Sequence, residues 1–171
     1  MIGMLVIGID PGTATTGYGL VEENEDGSLT AVDYGVITTP ADLPMPMRLL
    51  ELYRQLKQIL LLHRPHSGAV EKLFFHRNVT TAISVGQGRG VALLALGEAG
   101  LEVGEYTPLE IKQAVAGYGG AGKRQIQQMV QVLLGLESMP TPDDAADALA
   151  VAICHAHSAR VREIYQDQGT T

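Results

Sequence analysis

A chain of 171 residues, 46% hydrophobic with a mean hydropathy of +0.11, suits one globular domain, and at that size roughly 70% of the unfolded surface can be buried. No run reaches the ~18 apolar residues that a membrane helix needs, no basic segment opens the chain as in a secretory signal, and the one cysteine, Cys154, has no disulfide partner. A reducing, cytoplasmic setting without a membrane partner is therefore expected. The net charge of −7 argues against a generally basic nucleic-acid coat, but the charge is unevenly placed. Residues 1–47 hold seven acids and no lysine or arginine, whereas 72–97 carry Lys72, Arg77 and Arg89 and 111–136 carry Lys112, Lys123 and Arg124, both without an acid. Local positive surfaces can steer an anionic partner to an acidic protein.

In chain order, residues 4–9 read as a buried strand, and 17–22 and 29–38 as two more flanking the acidic turn "ENEDG". Residues 47–63 read as an amphipathic helix with Leu49, Tyr53, Leu56 and Leu60 on one stripe, bounded by Pro44 and Pro46 before and Pro65 after. A short strand at 67–71, a glycine-rich apolar helix at 79–99 and a fifth strand in "LEVGEYT" follow. The remainder reads as a short helix from Pro108, a glycine loop at 117–122, a helix at 123–135 and a last helix at 142–157. Residues 1–160 form one predicted domain, and 161–171 a polar tail expected to be flexible. An antiparallel meander followed by alternating strands and helices predicts an α/β fold: a five-stranded mixed sheet with helices on both faces and a site at strand ends.

Asp10 closes the first strand in "IGIDPGTATTGYG". Asp-Pro-Gly is good turn chemistry, but such a tip could also cradle a nucleotide phosphate, as in the actin-like ATPases, or hold a metal. Glu71 likewise ends "GAVE". In the last helix, Thr141 and Pro142 suit the cap and first position, Asp144 could complete a capping box, and Asp143 suits the helix dipole. Asp147 resists such readings, because it is the one residue from 145 to 154 that is not apolar, and a buried unpaired carboxylate costs several kcal/mol. Asp144 and Asp147 are spaced i, i+3 and share a face. Four acids at three element ends predict one cluster needing a cation. Hard oxygen ligands suit Mg²⁺, with Mn²⁺ an alternative, and two such ions about 4 Å apart can activate water and stabilise a leaving phosphodiester oxygen.

Other motifs are weaker. "GYGGAGK" at 117–123 has P-loop spacing, but Arg124 stands where Ser or Thr is required and a helix precedes it. A glycine loop at a helix start can still hold a DNA phosphate with Lys123 and Arg124 beside it. "GQGRG" at 86–90 lies inside a helical pattern, and Ala82, Gly86 and Gly90, four apart, suit close helix contact within the chain or across a dimer. Phe74 and Phe75, the only phenylalanines, would point opposite ways in an extended segment, leaving one to stack on a base, with His76 and Arg77 nearby.

In order, "GIDPGTATTGYG", "AVEKLF", "GQGRG", "LEIKQAVAGYG" and "DAADALAVAICHAH" resemble the RuvC family of Holliday-junction resolvases, from about residue 4 to 157. The resemblance implies a ribonuclease-H-like fold and a homodimer that nicks two opposed strands of a four-way DNA junction in recombination and repair. It carries the catalytic and metal-binding positions onto Asp10, Glu71, Asp144 and Asp147, with two ions per subunit. It makes Phe74 the base-stacking wedge and Lys112 and Lys123 DNA contacts, and it implies the RuvA–RuvB branch-migration proteins as partners. Asp10 is then expected to bridge the two ions, Glu71 and Asp144 to flank it and Asp147 to support. An actin-like ATPase would need two related domains, and 171 residues suit one. The alternative from another class is a non-catalytic junction-binding protein of the same fold.

Overall fold

The computed structural model describes residues 3–72 and 79–168. Strands β1 (Met4–Asp10), β2 (Thr15–Glu23) and β3 (Leu29–Thr38) form the antiparallel meander. Helix α1 (Met45–His63), strand β4 (Ser67–Glu71), helix α2 (Val79–Glu98) and strand β5 (Glu102–Tyr106) follow in alternation. The chain then runs through α3 (Pro108–Ala116), α4 (Lys123–Leu133) and α5 (Asp143–Gln168). The strand order is β3-β2-β1-β4-β5, with β4 and β5 parallel to β1 and the meander antiparallel. The mixed five-stranded sheet expected from the sequence is the one found.

Alternation along the strands divides the core in two. Ile7, Ile9, Leu20 and Val70 face α1 and α2, which meet them with Leu52, Leu56, Leu60, Ala92 and Leu96. Val6, Val21 and Ala69 face the opposite side and pack against α3, α4 and α5. Side chains on a strand point to alternate faces, so Asp10, in phase with Val6, and Glu71, in phase with Ala69, belong to the α5 face.

Several boundaries differ from the sequence reading. Helix α1 begins at Met45 with Pro46 inside its first turn, where a missing N–H is harmless. Its buried stripe runs through Leu52 rather than Leu49 and Tyr53; the Tyr53 hydroxyl turns outward to Glu98. Helix α5 continues to Gln168, well past the expected 157. The apolar pattern ends at Ala156, but the exposed extension joins the body through Arg160 with Glu23 and Arg162 with Glu102. By length and composition α2 is apolar enough to cross a membrane, although here Ala92, Ala95 and Leu96 are buried in the core shared with the sheet and α1.

Candidate metal centre

Three glycines let α5 lie directly on the sheet. A Cβ on Gly8 would stand 2.3 Å from the Ala148 carbonyl oxygen, one on Gly17 1.9 Å from that of Asp144, and one on Gly19 2.7 Å from the Leu149 side chain. All three are on the α5 face, and Gly17 and Gly19 are registered opposite Asp10 and Gly8. The bare sheet surface therefore lowers the first turns of α5 onto the end of β1. Sequence reading passed over these residues; their signal is three glycines on one face of two paired strands.

The α5 start also differs from expectation. The Thr141–Pro142 peptide bond is cis, and the Pro142 carbonyl, not that of Thr141, accepts the N–H groups of Ala145 and Ala146. Pro142 thus occupies the cap position, one residue later than expected. Asp144 instead turns its carboxylate towards Asp10.

The outcome is a cluster: one carboxylate oxygen from each of Asp10, Asp144 and Asp147 lies within 4.8 Å of the others. Burial, reinforced by the charges of Asp147 and Asp144, the Asp144 hydrogen bond and the charge of Glu71, pushes the Asp10 carboxyl up to about 8. Burial also raises Asp147, against the opposing pull of Lys123. Burial raises Glu71 too, followed by the charge of Asp147, while Lys112 pulls it down. Glu71 lies outside the tight trio. It is the residue after Val70, which is registered with Ile9, so it sits beside Asp10 at the end of the neighbouring strand. Asp147 stands within the trio, and its charge acts on both Asp10 and Glu71. Like charges crowded in a half-buried site are relieved by a hard divalent cation, and this all-carboxylate donor set fits Mg²⁺ or Mn²⁺.

A cleft beside the trio is lined by Glu71, Lys112, Lys123 and Asp147, with Pro108, Ile111 and Ile126 forming its apolar wall. Lys112 and Lys123 thus both line the cleft that holds Glu71 and Asp147. Lys112 is placed by α3, whose start is fixed by a reciprocal capping box between Thr107 and Glu110. Lys123 opens α4 after Gly122. It is held 3.0 Å from Asp143, whose other oxygen accepts a hydrogen bond from Gln127 at 2.9 Å; this clamp on Lys123 was not foreseen. Arg124 is exposed in the same first turn and does not line the cleft. The glycine loop before α4 follows a helix, not a strand, in keeping with the rejection of a P-loop. Phe74, Phe75, His76 and Arg77 lie outside the described residues.

In the "GQGRG" segment, Gly88 packs on the Asp-Pro-Gly loop, its Cβ position 2.8 Å from the Gly12 carbonyl oxygen. Gly86 and Gly90 have open space beside them. Burial lifts the Cys154 thiol to about 11, which leaves it an inert core residue.

A meander joined to two parallel strands, helices on both faces and carboxylates gathered at the end of the first strand define a ribonuclease-H-like α/β protein with an acidic centre suited to divalent cations. The model of the family described as crossover junction endodeoxyribonuclease RuvC matches residues 6–155, and the chain belongs to that family. Among its relatives, the RuvC of Desulfitobacterium hafniense is 63% identical, covering 91% of this chain and 93% of its own. That of Syntrophomonas wolfei is 55% identical over 98% and 96%. A solved Thermus thermophilus RuvC structure superimposes with a TM-score of 0.86 at 38% identity, covering 92% of this chain and 96% of that one. The same protein in complex with Holliday junction substrate gives 0.85 at 35% identity, with the same coverage.

Proposed function

We propose that this chain is a structure-selective DNA endonuclease that resolves four-way junctions by paired, symmetric nicks through metal-dependent phosphodiester hydrolysis. The observation that carries the reading is the trio of Asp10, Asp144 and Asp147, facing a cleft with two lysines. Membership of the RuvC family supports junction DNA as the substrate.

Asp10, Asp144 and Asp147 would hold the cation, with Glu71 completing the set from the neighbouring strand. Mg²⁺, two ions per subunit, is the proposed complement, with Mn²⁺ able to substitute. Divalent ions at such a site supply an activated water and charge stabilisation for an in-line displacement. The chain's own contribution is positional and electrostatic. Lys112 and Lys123 bring positive charge to the edge of the acids and would orient the scissile phosphate. The apolar wall of the cleft limits water beside it. Lys123 would exchange Asp143 for a phosphate oxygen when DNA arrives, and Arg124 would contact the backbone alongside. Phe74 is proposed to stack at the junction centre, with Arg77 as a further DNA contact.

Residues 1–160 are proposed as the whole nuclease unit, acting in the cytoplasm as a homodimer whose two sites address two opposed strands, in concert with the RuvA–RuvB proteins. The open flank of α2 at Gly86 and Gly90 suits the dimer face. The test uses end-labelled four-way junction and linear duplex of the same sequence, incubated with the protein and Mg²⁺. Paired nicks at symmetry-related positions in the junction, with the duplex intact, are expected. A bandshift without cleavage would identify a binding protein instead, and equal cutting of duplex would remove structure selectivity.

A further inference from the structure

His155 is the one buried histidine among the described residues, 2% exposed. It lies on α5 two turns beyond Asp147, about 12 Å along the axis. Its Nε2 is 2.8 Å from Ser67 Oγ and its Nδ1 is 2.7 Å from the Tyr106 hydroxyl. Ser67 opens β4 and Tyr106 closes β5. The Tyr106 ring reaches back over Gly104, where a Cβ would stand 2.8 Å from its hydroxyl and 2.7 Å from His155 Nδ1. The Tyr106 backbone, in turn, is registered with Glu71, and its carbonyl accepts the Lys72 N–H at 2.7 Å. One imidazole thus ties the helix bearing Asp144 and Asp147 to the two strands that end at and beside Glu71.

This tie supplies something apolar packing does not. From 145 to 154 the α5 surface is alanine, leucine, valine, isoleucine and cysteine apart from Asp147, and it rests on glycines. Such contacts set the height of the helix over the sheet, but burial is non-directional and weakly resists sliding along the helix axis. A neutral imidazole has one N–H and one acceptor nitrogen. With each nitrogen on a hydroxyl, which can donate or accept, either tautomer is satisfied as long as both hydroxyls stay in place, and a fully satisfied buried network specifies position.

We propose that His155 is a positioning residue for the metal centre: the Ser67–His155–Tyr106 brace sets the axial register of α5 against β4 and β5, and with it the placement of Asp147 relative to Glu71. The inference rests on the acids being a cation site, as proposed above. Binding of Mn²⁺ to the DNA-free protein, followed by electron paramagnetic resonance, tests it. Tyr106→Phe and Ser67→Ala each remove one hydroxyl and spare the imidazole, and His155→Gln removes the ring. The expected result is a dissociation constant raised about tenfold or more in each, the scale seen when partners that orient metal ligands are removed. Ser67→Thr, which keeps the hydroxyl, should bind as the wild type does. Junction binding in EDTA should stay within twofold, showing an intact fold. Wild-type Mn²⁺ affinity in folded Tyr106→Phe and Ser67→Ala overturns the brace even if both melt earlier. A wild-type protein that takes up no Mn²⁺ overturns the cation reading beneath it.

Discussion

Asp10 concentrates the tension of the site in one side chain. Its carboxyl, ordinarily at 3.8, is raised to about 8, so the folded chain holds that proton more tightly than the unfolded chain does. Stability from this group is therefore lost as pH climbs from about 4 towards 8. His155 works in the opposite sense at lower pH: burial depresses it from 6.5 to about 4, so its share is present above 6.5 and lost as pH falls through that interval. Above pH 6.5 the acid effect stands alone of the two. Cation-free wild type should accordingly lose melting temperature between pH 6.5 and 8 faster than Asp10→Asn, and added Mg²⁺ should close the gap; parallel melting curves would remove the coupling. Asp147 was legible in the sequence because a carboxylate in an apolar run has few inexpensive explanations, whereas Asp10 kept a turn reading beside its metal one. Which acids form the close trio was not legible, since that depends on how the strand register and the helix bring them together.

At the scale of elements, the site is a consequence of α5 lying on bare sheet. A methyl group on Gly17 would meet the Asp144 carbonyl oxygen, which is backbone and cannot swing aside. Gly17→Ala should therefore lift the start of α5, destabilise the protein by about 1–3 kcal/mol as overpacked cores do, and weaken Mn²⁺ binding. Chemical denaturation and the same resonance titration measure both, and unchanged values would show that the seat is not tight. The strands and helices themselves were largely legible from periodicity. The end of α5 was not, because the apolar signal stops at Ala156 while ion pairs of Arg160 and Arg162 accompany a polar continuation. The α1 stripe was misphased for a related reason: Tyr53 is amphipathic, and its hydroxyl partner Glu98 lies far away in sequence.

At the scale of the whole molecule, an acidic protein of net charge −7 would engage a polyanion through a small basic cleft. Removing one lysine that neutralises a phosphate should reduce the slope of log affinity against log salt by about 0.9, so Lys112→Gln and Lys123→Gln are each expected to flatten junction binding by about that amount in a fluorescence-anisotropy salt series. An unaltered slope would place the phosphates elsewhere. The proposed dimer is testable through Gly86 and Gly90, which have room for a methyl within the subunit. Alanine there should favour the helix by up to about 1 kcal/mol per site while weakening self-association in sedimentation, and a dimer left intact would move the interface away from this flank. The gathering of acids from three element ends was inferable from the sequence only as a need, since no pattern within one segment states which ends will meet. Its most direct test is strand nicking of a labelled four-way junction in Mg²⁺ by wild type and Asp10→Asn, with binding measured separately in EDTA. The account predicts that the variant binds within twofold of wild type while its nicking falls by at least about 10²-fold, the scale of removing one electrostatic stabiliser at a reacting centre. Nicking that survives the substitution would contradict it.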